Sequence, residues 1–268
     1  MAVFLTLPEP EHSIWYLAYG SNLSSTKFVH DRGIVPLATA LVAVSGYALS
    51  MNSAGVPYQE PSFANISRIH LNENKKCELV GVAYLLNPQM YAKVVASEGG
   101  GIAYREEELE AEGVTDEDKR KLGSINGKVA MRALVTVLLR EATPSERYMG
   151  IITTGAKEAN MPVSYQKFLA SFHTYQPPAQ GFRRVGATLF LFIWVPIMTL
   201  MEKLTKMTVK HSKRGNAPLW VVIVVRAVVI SMWWWHDHVH APFWGRGDGL
   251  EDCSVQGGAI GVDKKMNV

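Results

Sequence analysis

The sequence predicts an α+β fold followed by an apolar C-terminal extension. Three observations carry that expectation. Short apolar runs with strand character fill much of the first 140 residues. Helical patterns dominate from Ser145 to Tyr175. Beyond the Pro- and Gln-containing stretch Gln176–Gly181 come two long apolar segments, unlike anything before them.

The first strand is expected at Ile14-Trp15-Tyr16-Leu17-Ala18. It ends in Tyr19-Gly20-Ser21-Asn22, a turn rich in backbone N–H groups and suited to an anion or oxyanion. Ser24–Asp31 reads as a short helix stopped at Gly33, and Leu37–Met51 as two strands or one bent at Gly46. Asn52–Pro61, with Gly, Pro, Asn and Ser, reads as loop. Phe63–Leu71 alternates only loosely, whereas Glu78–Leu86 is a well-formed strand pattern. A helix with clear punctuation follows: Asn87 as N-cap, Pro88 as first residue, Met90, Tyr91, Val94 and Val95 as buried stripe, Gly99 as stop. Glu98 therefore falls at a helix C-terminus. Ile102–Arg105 suggests a strand, and the charged stretch Glu106–Lys121 a solvated loop or surface helix. Val129–Arg140 is β-rich, and Ser145–Glu158 and Val163–Tyr175 read as helices.

Composition bounds the organisation. Residues 1–182 carry 16 Lys+Arg against 18 Asp+Glu, while residues 183–268 carry 11 against 6, so the net charge of +3 hides an acidic front and a basic tail. The expected division is a domain over 1–182 and an extension over 183–268. The basic, apolar tail suggests an anionic neighbour, a membrane rather than nucleic acid, because no basic patch interleaved with aromatics occurs. Cys77 and Cys253 are isolated, which supports neither a disulfide framework nor a zinc site and fits a reducing compartment. Met1–Glu11 does not read as a secretory signal, so a cytoplasmic protein, open to membrane association through residues 185–235, is expected.

The run Trp15–Leu23 resembles the signature of the gamma-glutamylcyclotransferase family. Two further stretches support the resemblance in the same order: Ala96-Ser97-Glu98-Gly99, and Pro144-Ser145-Glu146-Arg147-Tyr148 continuing through Gly155-Ala156-Lys157-Glu158 to Tyr165-Gln166. It covers about residues 14–175. The resemblance implies a small mixed barrel-like sheet with flanking helices. It places the catalytic glutamate at Glu98 and the substrate-binding stretch at Tyr16, Leu17, Ala18, Tyr19, Gly20, Ser21 and Asn22, and it matches the late tyrosine to Tyr148. A cyclotransferase domain with an apolar extension is similar, more narrowly, to proteins of fungal gliotoxin-type (epidithiodiketopiperazine) clusters. That setting implies a glutathione adduct as substrate.

The chemistry so implied asks little of the protein. A γ-glutamyl amide carries its own nucleophile, so cyclisation to 5-oxoproline is intramolecular. A base must take the ammonium proton, and donors must meet the oxyanion. No cofactor or metal is called for, and no GxSxG elbow, Walker loop or GxGxxG occurs. A carboxylate at a helix C-terminus meets the negative end of the dipole, which favours proton acceptance by Glu98. Glu98 is followed by three glycines, read as a flexible lip able to admit a bulky amine side. His236-Asp237-His238 with His240 resembles a metal cluster but follows Trp233-Trp234-Trp235 and equally suits a membrane-interface tail.

Val185–Met201 is 17 residues without a charge, and Ala217–Trp235 is 19 residues with only Arg226. An arginine at bilayer centre costs roughly 2.5–3.5 kcal/mol. Spanning, interfacial and protein-packed arrangements of 185–235 all remain open at this point. The rival to an enzyme is a non-catalytic γ-glutamyl binding module tethered by its tail.

Overall fold

The computed structural model describes residues 13–69, 77–123 and 127–250. Residues 1–12, Leu71 and Cys253, on which expectations were placed, lie outside the described residues.

The strands are β1 (Ile14–Ala18), β2 (Ala38–Val44), β3 (Tyr47–Val56), β4 (Glu60–Arg68), β5 (Leu79–Leu86), β6 (Tyr104–Gly113) and β7 (Lys128–Thr136). Five of them close a barrel in the order β1-β5-β2-β6-β7, and β3 and β4 form a separate hairpin. The barrel shuts through a parallel pairing of β1 with β7, Tyr16 opposite Arg132 and Leu17 opposite Ala133. Every other barrel pairing is antiparallel. Leu17, Val42, Leu79, Ala83 and Ala133 are almost wholly removed from water inside it. Burying one such leucine contributes about 1.5–3 kcal/mol. The expected α+β class with a barrel-like sheet is therefore what the chain adopts.

The helices are α1 (Pro88–Ser97), α2 (Asp116–Leu122), α3 (Glu146–Glu158), α4 (Val163–Ala170), α5 (Gly181–Val209), α6 (Leu219–Trp235) and the short α7 (Ala241–Trp244). Helix α1 has the expected ends: Asn87 Oδ1 accepts from the Met90 N–H at 2.8 Å, and Pro88 opens the first turn. The loop after it turns through three successive left-handed glycines, Gly99, Gly100 and Gly101. Only glycine adopts that conformation without strain.

Three local expectations need correction. Asn52–Val56 is strand, not loop. Its polar side chains are satisfied inside: Asn52 Oδ1 accepts from Asn65 at 2.9 Å, and the Ser53 hydroxyl donates to Thr136 at 2.9 Å. Glu106–Gly113 is also strand. The exposed Glu106, Glu108, Glu110 and Glu112 alternate with inward Leu109, Ala111 and Gly113, a period of two that the density of charge obscured. Helix α4 stops at Ala170, well short of Tyr175.

The C-terminal helices are long and apolar enough to cross a membrane by length and composition, over Gly181–Val209 and Leu219–Trp244. They also pack on the rest of the chain. Phe190 of α5 and Val229, Met232 and Trp233 of α6 cluster around Tyr58 at the β3–β4 turn. Further along, Met201 joins Val221, Val225 and Ile102. These pairings run in opposite senses along the two helices, so α5 and α6 form an antiparallel hairpin. Its connecting turn meets the glycine loop: the Ala217 N–H donates to Gly100 O at 2.8 Å. A Cβ on Gly100 would lie 2.7 Å from Val209 Cγ2 and 2.8 Å from Ala217 N. The three glycines are thus clasped by the extension rather than forming an open lip. Arg226 lies at the protein, donating to the Gly101 and Ile102 carbonyls at 3.1 and 2.9 Å.

Candidate active site

The turn Tyr19–Asn22 leaves the end of β1 at the rim of the barrel. The Leu23 N–H donates to Gly20 O at 3.0 Å and closes it into a tight helical turn. Tyr84 of β5 donates to Asn22 O at 3.1 Å and holds the turn from below. Helix α1 brings Glu98 to the same rim. Asn22 Nδ2 donates both to Glu98 Oε1 and to Tyr16 Oη, each at 2.9 Å. Arg32 forms an ion pair with the same Glu98 oxygen and donates to Ser97 Oγ at 2.6 Å. The carboxylate side chain is 18% exposed. Its charge is opposed by the helix dipole and stabilised by Arg32. Asn22 Oδ1 is buried with no hydrogen-bond partner.

A small cavity of about 40 Å³ sits at this junction, lined by Tyr16, Tyr19, Gly20, Ser21, Asn22, Ala64, Glu98, Tyr104, Leu134 and Tyr148. Tyr148 reaches it from α3, where Ser145 Oγ caps the helix by accepting from the Tyr148 N–H at 3.0 Å. The Tyr148 phenol oxygen accepts from the Ala64 N–H at 3.1 Å. Tyr19 Oη donates to the Leu134 carbonyl. A Cβ on Gly20 would lie 3.1 Å from both Ala64 Cβ and Tyr148 Oη, so a side chain there would crowd the cavity. Burial pushes the phenols of Tyr16, Tyr19, Tyr104 and Tyr148 well above the usual tyrosine range, and Glu98 adds to the effect at each. All four are neutral hydrogen-bonding groups at physiological pH.

Of the residues singled out in the sequence, Tyr16, Tyr19, Gly20, Ser21, Asn22, Glu98 and Tyr148 meet here. Leu17 and Ala18 do not line the cavity and lie in the barrel core. Three residues apart on a continuing strand, Tyr16 and Tyr19 would face opposite ways; both reach the cavity because the strand ends at Ala18. Arg32, Ala64, Tyr104 and Leu134 went unread. They come from the segment before β2, the separate β3–β4 hairpin, β6 and β7, which only the tertiary fold brings together, and no local pattern marks them.

A second cavity, of about 260 Å³, adjoins the first and shares Glu98, Tyr104 and Leu134 with it. The histidine cluster lies elsewhere and is divided. His236 and His240 are buried around Tyr58 and Phe190, whereas His238 is exposed and stacked on Trp234. His236, Asp237 and Asp248 offer ligand atoms within 4.8 Å of one another. Their atoms are engaged: Asp237 pairs with Arg140 and Arg246, Asp248 with Arg246, and His236 Nε2 accepts from the Gly247 N–H at 3.1 Å.

The chain belongs to the gamma-glutamyl cyclotransferase family. It is 42% identical over 273 residues to gamma-glutamyl cyclotransferase aclK of Aspergillus oryzae, covering 96% of this chain and 99% of that one. It is 35% identical to gamma-glutamyl cyclotransferase gliK of Aspergillus fumigatus, covering 91% and 92%. Residues 180–243 match the family model described as the AclK C-terminal domain. Among solved structures, an uncharacterized protein of Homo sapiens, loc79017, shares the fold with a TM-score of 0.50 at 24% identity, over 63% of this chain and 94% of that one.

Proposed function

We propose that this enzyme cyclises the γ-glutamyl group of glutathione, or of a glutathione adduct of a fungal toxin intermediate, to 5-oxoproline with release of the free amine. The observation that carries the reading is the placement of Glu98. It stands over the Tyr19–Asn22 turn, fixed through Oε1 by Asn22 and Arg32, at the wall of a cavity whose other lining residues are uncharged. In this reading Glu98 takes a proton from the substrate ammonium, and the freed nitrogen attacks the γ-carbonyl carbon. The new C–N bond closes the five-membered ring. Glu98 returns that proton to the departing nitrogen as the old C–N bond breaks, and the second proton carried by the ring nitrogen follows, leaving a neutral lactam and the amine as its ammonium. Water is neither consumed nor formed. Holding the glutamyl chain in a near-attack geometry is the task of Tyr16, Gly20, Ser21, Asn22 and Tyr148, while the intramolecular nucleophile supplies most of the proximity. The uncommitted Asn22 Oδ1 is an acceptor for the substrate ammonium. The names of the relatives aclK and gliK support the activity.

Residues 1–182 form the catalytic part in this reading, and residues 183–268 an extension that touches a membrane surface rather than spanning it. The docking of Arg226 and of the α5–α6 turn on the glycine loop supports that choice. So do the outward apolar residues Phe192, Leu200, Trp220 and Ile223, which remain exposed. The test of the reaction is mass spectrometry for 5-oxoproline after incubating the full chain with glutathione and with a bis-glutathionyl adduct. Product from at least one is expected; none from either, in folded protein, contradicts the proposal.

A further inference from the structure

The 260 Å³ chamber beside the candidate active site is not made by the barrel alone. Its lining includes Glu98, Gly101 and Tyr104 from the barrel side, and Asn216 and Arg226 from the C-terminal hairpin. We propose that the hairpin completes the substrate site, with Arg226, assisted by Asn216, forming a subsite for a carboxylate carried by the leaving amine. This rests on the cyclotransferase reading and extends it to the far side of the scissile bond.

Charge bookkeeping around the chamber singles out Arg226. Glu98 is paired with Arg32, Arg105 with Glu107, and Glu106 with Arg132. Arg226 has no carboxylate partner among the described residues. Its Nε and Nη2 donate to the carbonyls of Ile102 and Gly101, which leaves Nη1 uncommitted. These two carbonyls hold the guanidinium in place without neutralising it. A half-buried, unneutralised guanidinium at a cavity wall is a binding group for an anion, and its planar fork matches a carboxylate. Asn216 adds an amide on the same wall, its Oδ1 lying near Gly101.

Position fits the chemistry. The glutamyl group must occupy the inner cavity for its nitrogen to reach the γ-carbon beside Glu98. The amine portion then projects outward past Glu98, and the adjoining chamber begins there. A peptide spans at most about 3.3–3.6 Å per residue, so the terminal carboxylate of a dipeptide amine lies about 7 Å from the scissile nitrogen. Gly101 and Ile102, which hold Arg226, follow Glu98 in the chain by three and four residues. The extension is then part of the recognition machinery, and a γ-glutamyl amide whose amine lacks a carboxylate is a poorer ligand.

The test uses the full chain and two probes: glutathione, and the same molecule with its glycine carboxylate replaced by a carboxamide. Dissociation constants come from titration calorimetry, and kinetic constants from 5-oxoproline release. Wild type is expected to bind glutathione about 10- to 100-fold more tightly than the amide, the usual range for a hydrogen bond to a charged group. Arg226→Gln should abolish that ratio, raising KM for glutathione while kcat stays within about threefold, and Arg226→Lys should retain part of it. Equal binding of the two probes by wild type, or binding of neither, overturns the proposal, and that comparison needs no variant. So does an equal loss for both probes in Arg226→Gln, which is the signature of a merely structural anchor. Discrimination without 5-oxoproline would refute the cyclotransferase reading and keep the subsite; turnover without discrimination would do the reverse.

Discussion

Replacing Gly215 with alanine should undock the C-terminal hairpin from the catalytic helix, and the structure sets the magnitude. Gly215 sits in the turn between α5 and α6 with φ +77°, where an L side chain is strained by about 1–2 kcal/mol. A Cβ there would stand 2.1 Å from Ala92 O and 3.1 Å from Ala96 N, both backbone atoms of α1. Those atoms cannot rotate away, so an overpacking cost of about 1–3 kcal/mol adds to the strain. The total is about 2–5 kcal/mol. Gly46, in the β2–β3 turn, supplies the control: its φ is also +77°, and a Cβ there meets nothing within 4 Å. Gly46→Ala therefore carries the conformational cost alone. Urea unfolding of both variants reads the difference, which should be about 1–3 kcal/mol. Because α1 ends at Glu98, Gly215→Ala should also lose activity, whereas Gly46→Ala should not. Equal stability and equal activity in the two variants would refute the docked arrangement.

Other expectations follow from the site. Asn22→Ala removes the donor shared by Tyr16 and Glu98, and kcat should fall about 10- to 100-fold with a smaller change in KM; steady-state assays of 5-oxoproline release check this. The buried phenols of Tyr16, Tyr19 and Tyr148 should make the fold sensitive to alkali. Their folded pKa values lie above the unfolded value near 10, so the native state holds protons that the unfolded state gives up. The stability they contribute is complete below pH about 10 and declines above it by about 1.4 kcal/mol per pH unit for each phenol that stays protonated. Denaturant midpoints measured from pH 8 to 11 should be flat at first and then fall. A rise above pH 10 would contradict the burial of these rings.

What the sequence reveals divides along a physical line. Helix α1 was readable to its ends because Asn87, Pro88 and Gly99 act locally, through a cap, a fixed φ and a left-handed stop. The Tyr19–Asn22 turn and Glu98 were readable for the same kind of reason, aided by a family resemblance over about residues 14–175. Strand β6 was missed because five glutamates in ten residues look like a solvated segment, although the alternation of Glu106, Glu108, Glu110 and Glu112 with inward residues is what a half-exposed barrel strand requires. Asn52 and Ser53 looked like loop because their partners, Asn65 and Thr136, are distant in sequence. Arg32 and Arg226 were illegible as site residues. Nothing in the sequence around Arg32 pointed to Glu98, and Arg226 read only as the single charge of an apolar segment. Both acquire their meaning from tertiary contacts with Glu98 and with the carbonyls just beyond it.

In the proposed reaction Glu98 moves the proton. The most direct measurement compares wild type with Glu98→Gln, full-length, for 5-oxoproline release by mass spectrometry and for glutathione binding by calorimetry. Glutamine keeps the size of the side chain and an oxygen able to accept from Asn22, but it cannot carry the proton. Binding within a few-fold of wild type, with release reduced by the 10²–10⁴ typical of a lost general base, is expected. Release by Glu98→Gln at a rate near wild type would contradict it.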